Sequence, residues 1–390
     1  MYILNIEKLL FSIMPYIIFI LPNIKVIGRL NSIYILLLLF ILMFRVNRSD
    51  IKKMKIEIIS LYLLIIFMIL CLIKSTDIIY SFTYFFSVIL GFILMIYIGF
   101  YASKRIDIEI FIKNMHYLNL IVMIFSLYEI FFKNGIIMNN MEFIDRKNEF
   151  GFNYPLVFFT NPNDLAYYLS ISIFITFQYF MNKSNCLLKC CIVFLVTIFI
   201  ILNTNSRLSL IYLIFIFLGT LIILNKNRDF RVFLSIILFM ICLLFSYFYI
   251  IDIKEYDFFT GRFQLLKGAV EGFYISPIVG LGLGNISNIL GNSPHSTIFT
   301  FLADMGIIGL SIFLLFYLSL LKKLFNCIDF YKNKADYLKV LYSSNLITLL
   351  IFPLLTIVTS SAEQEKITWV ILGISMFLIR LEYKVNRNEA

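Results

Sequence analysis

The chain has 390 residues, of which 61% are hydrophobic, 17% aromatic and only 14% charged, with a mean hydropathy of +0.93. A water-facing domain carries about a quarter of its residues as charges, so this composition excludes an ordinary soluble domain. The net charge of +10 invites a nucleic-acid partner, but the cations are spread over short segments beside apolar runs, which is membrane topology and argues for no nucleic acid.

In chain order, apolar runs long enough to cross about 30 Å of hydrocarbon as helices fall at 9–27, 30–46, 56–74, 78–101, 115–132, 164–182, 187–203, 207–224, 231–251, 296–321, 337–360 and 365–383. They predict an all-α fold: a polytopic membrane bundle of about 12 spans, one transmembrane domain over 1–390. The first run follows Lys8 as a signal peptide would. Pro15, Pro22 and the lack of a small-residue cleavage site make it a retained span. Assigning alternate loops to opposite faces puts both termini on one side, with 22 of the 33 Lys and Arg residues there and 11 on the other. That bias marks the termini as cytoplasmic, in a cell (inner or plasma) membrane. Cys71 and Cys242 lie in spans, and Cys186, Cys190, Cys191 and Cys327 lie in or near cytoplasmic loops. No disulfide framework or metal spacing results.

Two external loops are long, 133–163 and 252–295, and both carry Gly, Asn, Pro and mixed charge. Within the second, 262–273 places apolar residues at helical spacing, as an amphipathic helix lying on the membrane surface does. Secondary transporters carry internal repeats and midplane polar sites. Here no repeat relates the halves, and intramembrane charge is confined to Glu129 and Asp304. Glu129 lies within a turn of the outer loop and is expected to snorkel; Asp304 lies about two turns below His295 and belongs to the same outer cavity. The outer mouth also collects Arg207 in "NTNSRLSL", Arg262 in "FFTGRFQLLKGAVEGF", and His295 after Pro294, with Ser293 as the expected N-cap of the span near Ser296. "GLGLG" at 280–284 lacks the strand and the acid of a dinucleotide fingerprint. It reads as a tight turn bringing backbone close to a ligand.

From "GFYISPIVGLGLGN" through "SPHSTIFTFLADMGIIGLSIFLL" the chain resembles the shared C-terminal region of the O-antigen ligase and O-antigen polymerase family. The shared positions are Pro277, Gly280, Gly282, Gly284, Pro294, His295, Gly306 and Gly309. "TNSRLSL" resembles the family's Thr-x-Ser-Arg segment, and "FTNPNDLAYYLSI" its Asn-containing start of a middle span, so the resemblance covers roughly 155 to 315. Ser296 departs from the Asn common there, which touches packing or acceptor contacts more than chemistry.

The resemblance implies a glycosyltransferase working at the external, or periplasmic, face on an undecaprenyl-diphosphate-linked oligosaccharide, without a cofactor or metal. Arg207 and Arg262 would clamp the diphosphate and stabilise the charge of the leaving group. His295, with an ordinary pKa of about 6.5, would accept the proton of the attacking sugar hydroxyl. A single displacement inverts the anomeric centre. Substrate contacts are expected from Arg207, Arg262, Asn163, Tyr274, Asn285 and Asp304. A polymerase of repeat units for O-antigen or capsule is favoured over a ligase serving a lipid A core or a protein. A transporter or flippase for lipid-linked glycans is the alternative of another class. Expected partners are the lipid-linked glycan, the bilayer, a flippase and a chain-length regulator.

Overall fold

Long apolar runs rich in Leu, Ile and Phe leave the backbone no partner but itself in hydrocarbon, and helices are the result. The computed structural model describes residues 12–19, 54–101, 105–132, 147–148, 151–159, 161–181, 183–225, 227, 235, 258–332, 334, 336–355 and 362–388. Its helices are α1 (Lys55–Ile73), α2 (Ile78–Ile96, continued by a π-helical Tyr97–Tyr101), α3 (Arg105–Phe131), α4 (Pro162–Phe180), α5 (Cys186–Asn203) and α6 (Arg207–Leu224). They continue as α7 (Phe258–Ile275), α8 (Asn285–Leu290), α9 (Thr297–Asn326), α10 (Ile328–Lys332), α11 (Asp336–Leu350), α12 (Phe352–Leu355) and α13 (Lys366–Asn388). Among the described residues there is no strand, only an isolated bridge between Lys147 and Asn153.

Among the described residues, six segments are long and apolar enough to cross a membrane: Lys55–Ile73, Ile78–Phe100, Ile108–Phe131, Cys186–Asn203, Arg207–Leu224 and Thr297–Asn326. The sequence predicts about 12, and that count is not confirmed. The runs at 30–46 and 231–251 lie almost wholly outside the described residues, and of the run at 9–27 only residues 12–19, which are helical, are described. Those at 164–182, 337–360 and 365–383 contain α4, α11 with α12, and α13, which are not among the six. For α4 the reason is visible. Asn163, Asp164, Ser170, Ser172, Thr176 and Gln178 lower its hydropathy, and it is buried from Asp164 to Gln178 against α3, α5, α6 and α11. A central helix shielded by protein on all sides can carry polar groups that a lipid-facing one cannot.

The lipid-facing helices show the converse. On α5, Leu187 is 77% and Leu195 64% exposed, a row that water would penalise and acyl chains accept. Interior contacts use small residues. A Cβ on Gly91 would stand 2.0 Å from the Trp369 ring, and one on Gly99 2.8 Å from Met376 Cβ, so α2 and α13 approach closely at these positions.

Buried acids each have a local answer. Glu57 on α1 accepts from Lys323 Nζ at 2.7 Å and from Ser319 Oγ at 2.5 Å on α9. Glu129 does not snorkel: it is fully buried, and its Oε2 accepts from the backbone N–H of Leu156 at 2.7 Å and of Val157 at 2.8 Å. The carboxylate turns into the segment that precedes α4 and is held there by these two amide donors. They also hold Val157 at φ 53°, a left-handed backbone that β-branched residues rarely adopt.

Candidate active site at one end of the bundle

One end of the bundle gathers the starts of α2, α4, α9 and α13. Tyr167, one turn into α4, bonds Thr368 of α13 at 2.9 Å; Thr297 at the start of α9 donates to Glu363 at 2.7 Å; Tyr84 of α2 donates to Glu363 at 3.0 Å. The same end carries the glycine-rich loop between α7 and α8.

That loop is built around a break in α9. Gly306 sits at φ 62°, ψ −165°, a region open essentially to glycine alone. The break costs two helical hydrogen bonds, and the loop replaces both. Ala303 and Asp304 carbonyls accept instead from Leu281 N–H at 2.9 Å and Gly282 N–H at 3.0 Å. The freed N–H groups of Ile307 and Ile308 donate to Pro277 at 2.9 Å and Ile278 at 3.3 Å. Every group released is paired again, as a bilayer demands. The fit is close enough that a Cβ on Gly280 (φ 75°) would meet the Asp304 carbonyl oxygen at 2.3 Å.

Asp304 completes the clamp. It is fully buried, accepting from Gly284 N–H at 2.8 Å and Ile286 N–H at 2.9 Å, and so caps α8 from a neighbouring helix. Asn285 does the same for the α1–α2 turn. Its Oδ1 accepts from Ser75, Thr76 N–H and the Thr76 hydroxyl at 2.9–3.1 Å, and its Nδ2 donates to Leu281 O at 2.8 Å. Lys74 Nζ reaches Ser276 Oγ at 2.8 Å and Gly280 O at 2.5 Å.

His295 follows directly from this unit. After α8 the chain turns at Gly291 (φ 71°), passes Pro294, and places His295, half-buried, at φ 55°. A non-glycine residue there stores backbone strain, a pattern that clusters at functional sites. The N-cap of α9 is Ser296, in extended conformation and without a side-chain cap bond, and not Ser293. The left-handed turn at His295 puts Ser293 too far back along the chain for that position.

The other expected residues are placed less uniformly. Arg207 is exposed at the first position of α6, beside Asn205, whose amide donates to Tyr154 OH at 3.0 Å. Asn163 lies in the first turn of α4, its backbone N–H capped by Asn161 Oδ1 at 2.9 Å. Tyr274 is 74% exposed on α7, its ring 5.9 Å from that of Phe273. Arg262 falls within α7, but its side chain lies outside the described residues. The chain's other histidine, His116, is buried on α3 and stacks on Tyr179 at 4.3 Å.

A cleft of about 370 Å³ opens beside the His295 segment, lined by Tyr80, Ser287, Asn288, Gly291, Asn292, Ser293 and Gln364. Beneath it Glu363 is buried between Thr297 and Tyr84, and burial pushes its carboxyl above the usual range despite hydrogen bonds that oppose the shift. Sequence reading passed over Tyr80, Glu363 and Gln364. They come from the start of α2 and from the approach to α13, far from the glycine loop in the chain. The one trace of Glu363 and Gln364 was the polar run "SSAEQEK" between apolar segments. Among the described residues, no three His, Cys, Asp or Glu side chains gather as a metal site would require.

No curated protein matches the chain. The family model described as O-antigen ligase matches residues 192–314, from within α5 to the middle of α9. That match covers Arg207, Arg262, the glycine loop and His295, and it supports the resemblance of this part of the membrane protein to the O-antigen polymerase/ligase family.

Proposed function

We propose that the protein polymerises surface-polysaccharide repeat units, moving an undecaprenyl-diphosphate-linked glycan onto a sugar hydroxyl of a second lipid-linked unit at the external face. The observation that carries this reading is the strained His295, presented by a locked glycine loop beside an open polar cleft. His295 accepts the proton of the attacking hydroxyl, and inversion follows from a single displacement. Arg207 and Arg262 bind the diphosphate and meet the charge of the departing oxygens, so turnover needs no metal. Asn163 and Tyr274 line the approach of the substrate. Asn285 and Asp304, whose acceptors are occupied by backbone and hydroxyl donors, shape the loop and do not touch substrate. A flippase would supply the lipid-linked unit, and a chain-length regulator would act on the product.

A transporter reading finds less support. A broken helix serves transport by leaving open backbone groups to a substrate, whereas the break at Gly306 is re-paired by Pro277, Ile278, Leu281 and Gly282. The purified protein in lipid nanodiscs, given an undecaprenyl-diphosphate oligosaccharide, should form lengthened lipid-linked chains and release lipid diphosphate, with or without excess EDTA. Activity lost to EDTA and restored by Mg²⁺ or Mn²⁺ would count against the two arginines. Transbilayer movement of the lipid-linked glycan without chain growth would favour the transporter.

A further inference from the structure

The cleft beside His295 has a chemistry distinct from that of a diphosphate site. Its lining offers three side-chain amides (Asn288, Asn292 and Gln364), the hydroxyls of Ser287, Ser293 and Tyr80, and one aromatic ring, with no Lys, Arg, Asp or Glu among them. A diphosphate calls for cationic donors. An amide instead presents a donor and an acceptor together, which suits a sugar hydroxyl that both donates and accepts. Asn288 is exposed and Gln364 half-buried, so both face the cleft without supporting the core. Tyr80 is 37% exposed and shares the lining of the cleft with Ser287. An aromatic face with a few placed polar groups is how small-molecule sites gain affinity and orientation.

We infer that this cleft is a subsite for an uncharged sugar ring of the acceptor glycan. The assignment to the acceptor rests on the transferase reading given above, because Gly291, Asn292 and Ser293 run directly into His295, the group that takes the acceptor's proton. Ser287, Asn288 and Asn292 belong to the segment shaped by the Asp304 and Asn285 clamps, whereas Tyr80 and Gln364 come from α2 and the approach to α13. The subsite therefore forms only when three separate parts of the fold meet.

The test is direct binding. The chain has a single tryptophan, and Trp369 Nε1 donates to the Glu363 carbonyl at 2.8 Å, one residue from Gln364. Its fluorescence reports on the cleft in detergent-solubilised protein, and saturation-transfer NMR on the same samples reads binding independently. The probes are methyl glycosides of glucose, galactose, N-acetylglucosamine and rhamnose, with methyl glucuronoside as the charged counterpart. At least one neutral glycoside should bind saturably, and more tightly than the uronoside. Asn288→Ala and Gln364→Ala should each weaken it about 2- to 10-fold, the range of one hydrogen bond. Lys267→Ala, in an exposed pair with Glu271, should not change it. Absence of binding to every neutral glycoside by both methods, tighter binding of the uronoside, or indifference to both amide variants would overturn the proposal. Polymer formation by His295→Ala would refute the transfer chemistry and leave these binding curves as they are, so the two failures are distinguishable.

Discussion

A guanidinium on a diphosphate works in both the ground state and the transition state, and that sets what its loss should look like. Arg262→Ala should weaken donor binding and slow turnover together, while Arg262→Lys should restore only part of either, because an ammonium lacks the bidentate fork. Steady-state kinetics with a lipid-linked donor checks this; a lysine variant equal to wild type would leave Arg262 as a snorkelling cation. Glu363 gives a prediction in pH. Its carboxyl is held above the ordinary 4.5 by burial, so it favours the folded state only while protonated. That contribution is full below the unfolded value and is lost as pH rises through the raised one. Glu363→Gln should therefore flatten the fall in thermal stability as pH rises from the unfolded value through the raised one, measured by melting in detergent. Parallel pH profiles for the two proteins would contradict it. The sequence exposed His295 through rarity and context, since only two histidines occur in the chain. It hid Glu363, because an acid in a short polar run between two apolar ones looks the same whether it faces water or a tyrosine.

At the scale of elements, the unit that matters is the loop 277–284 threaded into the break of α9. Sequence periodicity reads 296–321 as one uninterrupted span, and the break at Gly306 is invisible in it because glycine is common in membrane helices. The glycines at 280, 282 and 284 announced a tight turn. Their target, the backbone of α9, was given only by the paired hydrogen bonds. Gly306→Ala should be strongly destabilising: strain at that backbone is of order 1–3 kcal/mol, and the new Cβ would stand 2.5 Å from Ile278 O. Asp304→Ala leaves the buried N–H groups of Gly284 and Ile286 without acceptors, at about 1–3 kcal/mol. Both variants should lower the melting temperature and the yield of folded protein. Wild-type stability in either would show that the clamp is not what holds the loop.

For the whole molecule, hydropathy delivered six spans that the structure supports. It assigned spans at 164–182, 337–360 and 365–383 that the structure carries as α4, α11 with α12, and α13, where packing against neighbours replaces apolarity. The orientation proposed from charge bias puts Lys322, Lys323 and Lys332 inside and the glycine loop outside. A reporter active only outside the cell, fused after residue 280, should be active, and fused after residue 330 it should be silent; the reverse would invert the topology and remove the diphosphate-lipid mechanism. His116 provides an internal comparison. It is stacked on Tyr179 and edge-on to Phe180, so His116→Phe keeps the packing and should keep polymer production.

His295 is proposed as the group that receives the acceptor's proton. The direct measurement is polymer length on a gel from cells carrying His295→Ala, with membrane levels matched to wild type. A rate lower by about 10²- to 10⁴-fold, the usual contribution of general acid–base catalysis, should abolish long polymer while the purified variant still binds the lipid-linked donor. Full-length polymer at matched expression would show that the strained histidine only shapes the loop.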